Sequence, residues 1–263
     1  RAIRMVAYAD ESLRVAALQA GDVDMIEYVP WQSMAAIEAD PKLKLDAKPG
    51  PFMALAFNGG TGPFKDPRLR QMTGWAIRRE EIVQAAFFGR GTPMLGMPMP
   101  PDFSDEARAK FFRYDPDRAK ALMKEAGVAG GFECSLLSTA QYGMHKSTAE
   151  IVQQHLGEIG VKVKLVMPDW ATRVALGNKG QYEFCVQGTT ADNNDPDGLN
   201  SLLNGQLPPS NSRSFALPTP KLDELFQKGR GEGDLAKRKA IYAALEQEAL
   251  DVATLVPLAW RSQ

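Results

Sequence analysis

Short apolar stretches alternate with amphipathic segments along the whole chain. Val161, Val163 and Leu165 alternate with two lysines, which predicts a half-buried strand. Asp115-Pro116 predicts a helix start, because aspartate caps the first turn and proline there loses no hydrogen bond. The same logic predicts helices at 11–20, 67–88 with an interruption near 77, 116–126, 146–159, 170–176, 199–203, 221–228 and 235–252. It predicts strands at 3–8, 23–27, 43–47, 53–58, 132–137, 161–165, 182–187 and 255–260.

Strands separated by helices predict an α/β fold with a mixed, partly parallel sheet flanked by helices. In such sheets ligands bind beyond the carboxyl ends of the strands. Two loops after predicted strands, 138–145 and 188–195, therefore become the candidate binding region.

Length and charge narrow the class of protein. A chain of 263 residues suits one or two domains and can bury a full core without metals or disulfides. Its net charge of −1 argues against a nucleic-acid surface as the main role, because phosphate binding needs concentrated positive charge. Cys134 and Cys185 are widely spaced and form no CxxC motif, so two buried free thiols are expected, with a single disulfide as the alternative.

No segment predicts a membrane span. The longest apolar stretch, 252–260, is interrupted by Thr254 and Pro257, whereas a spanning helix needs about 20 apolar residues. The sequence begins with Arg1 and shows no signal peptide, so we expect an excerpt or a processed chain.

Catalytic and metal motifs are absent from the sequence. It lacks a nucleophile elbow, HExxH, a phosphate loop and a dinucleotide fingerprint. The two histidines, His145 and His155, have no cysteine nearby and make a poor metal pair, so no metal or cofactor is predicted. His155 borders an apolar helix stripe and is expected to pack at the edge of the core. A hydrolase using His145 or His155 remains an alternative.

The acidic loop 192–195 is the densest polar cluster. Three interpretations are open. The loop could bind calcium, its side chains could form turns and cap a helix, or one of its carboxylates could pair with an ammonium group of a ligand. Asp195, directly before Pro196, is expected to cap a helix. For Asp192 the turn and the ligand interpretation stay open.

Other clusters favour structural roles. Met94, Met97 and Met99 are expected to pack over the core, and the four tryptophans to lie in the core or at its rim. The basic cluster is expected to form a solvated helix face with acidic partners. Its members are Lys65, Arg68, Arg70, Arg78 and Arg79, with Glu80 and Glu81 as the partners.

Five strings in order resemble the family 5 extracytoplasmic solute-binding proteins, the peptide- and nickel-type receptors of ABC importers. They are LQAGDVDMIEYVP, LAFNGGTGPFKDPRLRQMTGWAIRREEIV, YDPDRAKALMKEAGV, HLGEIGVKVKLVMPDWAT and YEFCVQGTTADNNDP. The resemblance implies a periplasmic-binding-protein type II lobe within a two-lobed receptor. It implies that 1–48 belong to the first lobe and crossover, 49–253 form the second lobe, and 254–263 return toward the first lobe.

The resemblance also implies binding residues. Asp192 aligns with an aspartate that pairs with a peptide amino terminus in peptide-binding members. Thr189 aligns with a tryptophan of those members, and Val186 with a basic residue that holds the ligand carboxylate in some. Thr190 and Asn193 would be hydrogen-bonding neighbours of Asp192. His145 aligns with a histidine that some members place near the ligand.

The function expected is therefore non-enzymatic binding of a peptide or other small solute between two lobes. The implied partners are the ligand, the importer's membrane permease and the missing N-terminal lobe, in a periplasmic or extracytoplasmic location. A ligand-sensing regulatory domain is a further alternative, alongside the hydrolase.

Overall fold

A six-stranded mixed sheet organises the molecule. The computed structural model describes residues 2–190 and 194–262. The strands, β1 to β6 in chain order, are Pro49–Phe57, Gly91–Pro93, Phe132–Leu137, Val161–Val166, Phe184–Thr189 and Leu255–Ser262. Their order in the sheet is β2-β6-β1-β5-β3-β4. Strands β3, β4, β5 and β6 point one way, because β1 is antiparallel to both β5 and β6 and β3 is parallel to β4 and β5.

Eleven α-helices connect and flank these strands in the described part of the chain. They are α1 Glu11–Ala20, α2 Trp31–Ala39, α3 Pro67–Ala76, α4 Arg79–Phe87, α5 Glu106–Ala109, α6 Pro116–Glu125, α7 Gly143–Glu158, α8 Trp170–Asn178, α9 Asn200–Leu203, α10 Pro220–Gly231 and α11 Leu235–Val252. Helix α7 packs on β4 and β5, whereas α3 and α11 contact each other and β6. The predicted α/β class with a mixed sheet is confirmed.

Aspartate caps set most of the predicted helix starts. The Asp115 carboxylate accepts from the N–H of Arg118 at the start of α6. Asp66 accepts from Arg68 at the start of α3, and Asp195 accepts from Asp197 before a 3₁₀ turn. The cap at Asp195 confirms its prediction, and the break between α3 and α4 falls at the predicted position near Ile77.

The core lies on the central strand. Every residue of β1 from Phe52 to Phe57 is buried. Phe57, Phe64 and Phe184 cluster there, with the rings of Phe64 and Phe184 4.8 Å apart between centroids. Aromatic burial of this kind adds tilted ring contacts to the hydrophobic gain. The buried strand β1 therefore supports its two neighbours in the sheet, β5 and β6.

Three predicted strands were wrong. Residues 3–8, 23–27 and 43–47 form no strand in the structure. Their apolar periodicity is real, but a strand needs a hydrogen-bonding neighbour, and within residues 2–190 and 194–262 none pairs with them. Ile3, Met5 and Met25 are instead 95%, 92% and 84% exposed.

The prediction of a solvated basic face was wrong for two of its arginines. Arg70 and Arg79 are each 1% exposed and donate to backbone carbonyls. Arg79 contacts the carbonyls of Gly74, Ile77, Phe112 and Pro257, and burial lowers its pKa to about 9. Helical spacing placed both arginines on a common face, but it could not show that other chain segments cover it. Arg78 does pair with Glu81, as expected.

Several smaller predictions were confirmed. Cys134 and Cys185 are buried free thiols, and burial raises the pKa of both. Met94, Met97 and Met99 pack into the core from their loop. None of the helices in the described residues has the length and apolarity to cross a bilayer.

Candidate functional site

The carboxyl ends of four strands meet at one edge of the sheet. Strands β3, β4, β5 and β6 all end there, and β1 begins there, with Pro49 paired to Ser262. The loop predicted from the sequence, 138–145, lies at this edge, as does the end of β5. In α/β sheets this is the position where ligands bind.

Side-chain hydrogen bonds tie the loop after β3 to the starts of α7 and α8. The hydroxyl of Ser138 donates to the carbonyl of His145 at 2.9 Å, and that of Thr139 to Pro168 at 2.7 Å. The Gln141 side-chain carbonyl accepts from the N–H of Trp170 at 2.9 Å. Because these bonds join three segments, the edge is a preorganised surface rather than three independent loops.

His145 lies inside this edge. It is 2% exposed, and its ring centroid is 5.4 Å from that of Trp170 and 6.3 Å from that of Tyr142. Burial, followed by the positive charges of Arg173 and Arg261, lowers the pKa of His145 to about 3. Its Nδ1 has no hydrogen-bond partner among the described residues. His145 is thus a neutral imidazole at the predicted edge, with one ring nitrogen unused there.

The end of β5 carries the predicted threonines. Thr189 pairs with Phe52 in the sheet and is half-buried, and Thr190 is exposed. Asp192 and Asn193 lie outside the described residues. Asp195, farther along, forms an ion pair with Arg238 at 2.7 Å, and this interaction lowers the pKa of Asp195.

The structure adds Arg173, which sequence analysis did not identify. Its Nη2 donates to the Val186 carbonyl at 2.6 Å and to the Gln187 side-chain oxygen at 2.7 Å, and its guanidinium lies 5.4 Å from the Trp170 ring. Nε and Nη1 find no partner within 2–190 and 194–262, although the side chain is fully buried. The resemblance implies a basic residue at the position of Val186 in some peptide-binding members. Here a guanidinium lies next to Val186 all the same, because α8 supplies Arg173.

Arg261 and Glu11 also reach this edge and were missed. Arg261, in β6, touches Met144 and the rings of Tyr28 and Trp31. Glu11 accepts a hydrogen bond from the backbone of Gly143, and burial raises its pKa above the usual value. The only sequence signal for Arg261 was a cation at the end of an apolar strand.

The second histidine lies elsewhere. His155 is 1% exposed, and its Nε2 is 2.8 Å from a carboxylate oxygen of Glu81. Ten residues of helix separate it from His145, a rise of about 15 Å. The two histidines therefore cannot serve one reaction centre, and the predicted packing of His155 at the core is confirmed.

Metal coordination finds no support in the described residues. Among them, no group of three or more histidine, cysteine, aspartate or glutamate side chains is arranged to hold an ion. The chemistry that this edge offers is hydrogen bonding from hydroxyls, backbone groups and two buried guanidiniums.

The chain belongs to the bacterial extracellular solute-binding proteins, family 5, whose middle region matches residues 1–211. It is 30% identical over 258 residues to heme-binding protein A of Haemophilus influenzae, covering 95% of this chain and 47% of that protein. It is 28% identical to the glutathione-binding protein GsiB of Escherichia coli K12, covering 95% and 50%. The chain therefore spans about half the length of these curated relatives.

Solved structures agree on the fold. The binding protein AgaA from A. tumefaciens R10, in complex with agropinic acid, superposes with a TM-score of 0.93 at 39% identity, covering 97% of this chain and 53% of AgaA. A dipeptide-binding protein from Pseudoalteromonas sp. SM9913, in complex with Met-Leu, has a TM-score of 0.86 at 24% identity, covering 97% and 51%. The periplasmic-binding-protein type II fold is confirmed, and this family is a binding family rather than a catalytic one.

Proposed function

We propose that this chain is the second lobe of an ABC-importer receptor and binds a peptide or another small solute at the carboxyl edge of its sheet. The observation that carries the proposal is the convergence of four strand ends, two helix starts and a neutral buried His145 at that edge. The glutathione and the agropinic acid named for two of its relatives support a small polar solute, and heme-binding protein A shows that other ligands occur in the family.

The site proposed for the solute is formed by the loop after β5 and the start of α7. Asp192 pairs with a cationic group of the solute, and Thr189, Thr190 and Asn193 supply hydrogen bonds beside it. His145 contributes its neutral ring. A carboxylate facing an ammonium forms a charge-assisted hydrogen bond, which is stronger than a neutral one and fixes orientation.

The remaining half of the receptor is the first lobe. Its proposed contact surface is the apolar face of residues 2–28, where Ile3, Met5 and Met25 are almost fully exposed. A cavity of about 370 Å³ next to this face is lined by residues that include Met25, Tyr28, Trp31 and Leu45. Exposed apolar area of this kind marks an interface.

Closure of the two lobes over the solute is the proposed mechanism. A solute that contacts both lobes stabilises the closed state by its differential affinity for that state. The closed receptor then docks on the membrane permease, in the periplasm or at the outer face of the cell. Residues 1–48 and 254–263 are the proposed connections to the first lobe, with β6 contributing to the sheet of the second lobe.

The test is isothermal titration of the complete receptor with Met-Leu, glutathione and agropinic acid. We expect at least one to bind and Asp192→Ala to weaken binding about 10- to 100-fold, in line with the cost of removing a charged hydrogen bond. Glu125→Gln, which changes an exposed acid at the end of α6, near the amino end of β3 and so at the opposite edge of the sheet, is the control and should bind as the wild type does. Unchanged affinity in Asp192→Ala would remove the anchor role.

The importer role has its own test. Addition of the loaded receptor should stimulate ATP hydrolysis by the cognate permease complex in proteoliposomes. A receptor that binds solute and never stimulates the permease would favour a sensor instead.

A further inference from the structure

Within residues 2–190 and 194–262, Arg261 is a buried cation without a main-chain or carboxylate oxygen as acceptor. It is 4% exposed, its Nη1 donates to the thioether of Met144 at 3.0 Å, and its Nε has no hydrogen-bond partner there. No carboxylate of the same residues lies within ion-pair distance of it. A buried charge of this kind is costly unless a counter-charge reaches it.

Two other buried arginines show what a purely structural guanidinium looks like in this molecule. Arg70 donates to the carbonyls of Phe64, Lys65, Val252 and Ala253. Arg79 similarly donates to four carbonyls. Arg261 has no such cage in the described part of the chain, so the fold does not satisfy it as it satisfies the other two.

The position of Arg261 is the carboxyl edge. It lies one residue before the end of β6, beside the start of β1, where Pro49 pairs with Ser262. Met144, which it contacts, directly precedes His145 in α7. The guanidinium therefore belongs to the same edge as His145 and the end of β5.

The electrostatics of the edge favour an anion. Arg173 and Arg261 both lower the pKa of His145, which shows that their positive charges act on the same region. Burial lowers the pKa of Arg261 itself. An anion placed at Arg261 would offset both effects.

Aromatic rings from the N-terminal segment cover the guanidinium. The rings of Trp31 and Tyr28 lie 5.6 Å and 6.0 Å from its central carbon. Trp31 is fixed, since its indole N–H donates to the Ser262 carbonyl at 3.0 Å. Tyr28 is 39% exposed and has a φ of 59°, a left-handed backbone that is strained for a residue with a side chain. Tyr28 is the more exposed ring of the cover, and its side chain also hydrogen-bonds to Arg261.

We propose that Arg261 binds a carboxylate of the transported solute, which reaches the guanidinium when Tyr28 swings away. This inference rests on the proposed function and adds the solute class: a small organic acid. A guanidinium holds a carboxylate through parallel N–H donors, and the unpaired Nε is available for one of them.

The experiment titrates the complete receptor with Met-Leu, its C-terminal amide, glutathione and agropinic acid. We expect the wild type to bind at least one acid and to bind the dipeptide amide more weakly than the dipeptide. Arg261→Gln should lose about 10- to 100-fold in affinity for the acid and lose the preference for acid over amide. Arg261→Lys should retain part of the preference, since it keeps the charge without the planar fork.

The matched control is Arg113→Gln, which removes the same charge from an exposed position. It should bind as the wild type does, and thermal unfolding checks that each variant is folded. If Arg261→Gln does not fold, the acid-to-amide ratio in the wild type and in Arg261→Lys decides the question.

Three results overturn the inference. They are unchanged acid affinity in Arg261→Gln, equal wild-type binding of acid and amide, and no binding of any acid. The first two leave solute binding intact. In the third case, native mass spectrometry separates the proposals, because a retained non-acidic solute keeps the proposed function and an empty receptor removes both.

Discussion

The imidazole of His145 lies directly over Gly188, the residue before Thr189 at the end of β5. A Cβ placed on Gly188 would come within 3.2 Å of Nε2 of His145 and 3.1 Å of the sulfur of Met53. The missing side chain of Gly188 therefore leaves the space in which His145 packs against the sheet. Helix α7 can approach the end of β5 this closely only because this position has no side chain.

Gly188→Ala should destabilise the lobe by about 1–3 kcal/mol, because the added methyl overpacks a buried contact. Gly157→Ala, in the exposed part of α7, is the matched control, since its new methyl would meet nothing within 4 Å. It should stabilise by about 0.5–1 kcal/mol, because alanine is the better helix former. Urea unfolding measures both, and a neutral Gly188→Ala would contradict the packing described.

Stability should fall as the pH drops below about 6.5, with His145 as one cause. Its folded pKa of about 3 lies below the ordinary value of 6.5, so between these values only the unfolded chain takes the proton. The neutral His145 therefore contributes to the free energy of unfolding in full above pH 6.5, and this contribution declines toward pH 3. Its upper limit is roughly 4–5 kcal/mol. The facing charges are those of Arg173 and Arg261.

Unfolding free energies at pH 7 and pH 4.5 test this for the wild type and His145→Gln. The variant should lose part of the pH dependence, whereas His155→Gln serves as the comparison for removal of the other histidine. If His145→Gln keeps the full wild-type slope, the histidine does not titrate as described.

Arg79→Met should be among the most damaging single substitutions in the chain. It leaves the carbonyls of Gly74, Ile77, Phe112 and Pro257 without their donor, and a loss of about 3–5 kcal/mol is expected. The exposed Arg113→Met should change stability by no more than about 0.5 kcal/mol. Chemical denaturation separates the two, and similar small losses for both would contradict a structural role for the guanidinium.

Arg78 links two acidic groups at the surface. Its guanidinium holds Glu158 and Glu81 at 2.7 Å and 2.6 Å and lowers the pKa of both carboxyls. The pKa values of both glutamates are depressed in the folded state. The two ion pairs therefore stabilise the fold above the unfolded glutamate pKa, and this stabilisation is lost as the pH falls through the folded-state pKa values. Both glutamates are well exposed, so Arg78→Met should cost only about 0.5–1.5 kcal/mol at pH 7.

The same variant should differ less from the wild type at pH 3, where the carboxyls are protonated. Raising the salt concentration at pH 7 should also shrink the difference, because exposed pairs are screened. A difference independent of both pH and salt would assign the effect to packing of the Arg78 side chain instead.

Capping residues and apolar periodicity correctly predicted the helices and strands whose packing and pairing partners lie within the described residues. The caps at Asp66, Asp115 and Asp195 placed helix starts correctly, and the alternation from Val161 onward predicted β4. The segments 3–8, 23–27 and 43–47 have similar periodicity but no strand to pair with among the described residues, and periodicity carries no information about pairing.

The binding edge was predictable only as a location. The rule for strand ends led to the loops 138–145 and 188–195, and His145 does lie at the edge. Arg173 and Arg261 were missed because each comes from an element that looks purely structural in the sequence. Their importance arises from what tertiary contacts leave unpaired around them, which no local spacing can encode.

The pairing of Pro49 with Ser262 limits how the lobe can move. Two neighbouring antiparallel strands that run side by side resist stretching and shear, because each would break ladder hydrogen bonds, whereas they bend easily across their flat face. Where residues 1–48 and 254–263 form the proposed connections to the first lobe, this pair favours bending across its face over stretching or shear.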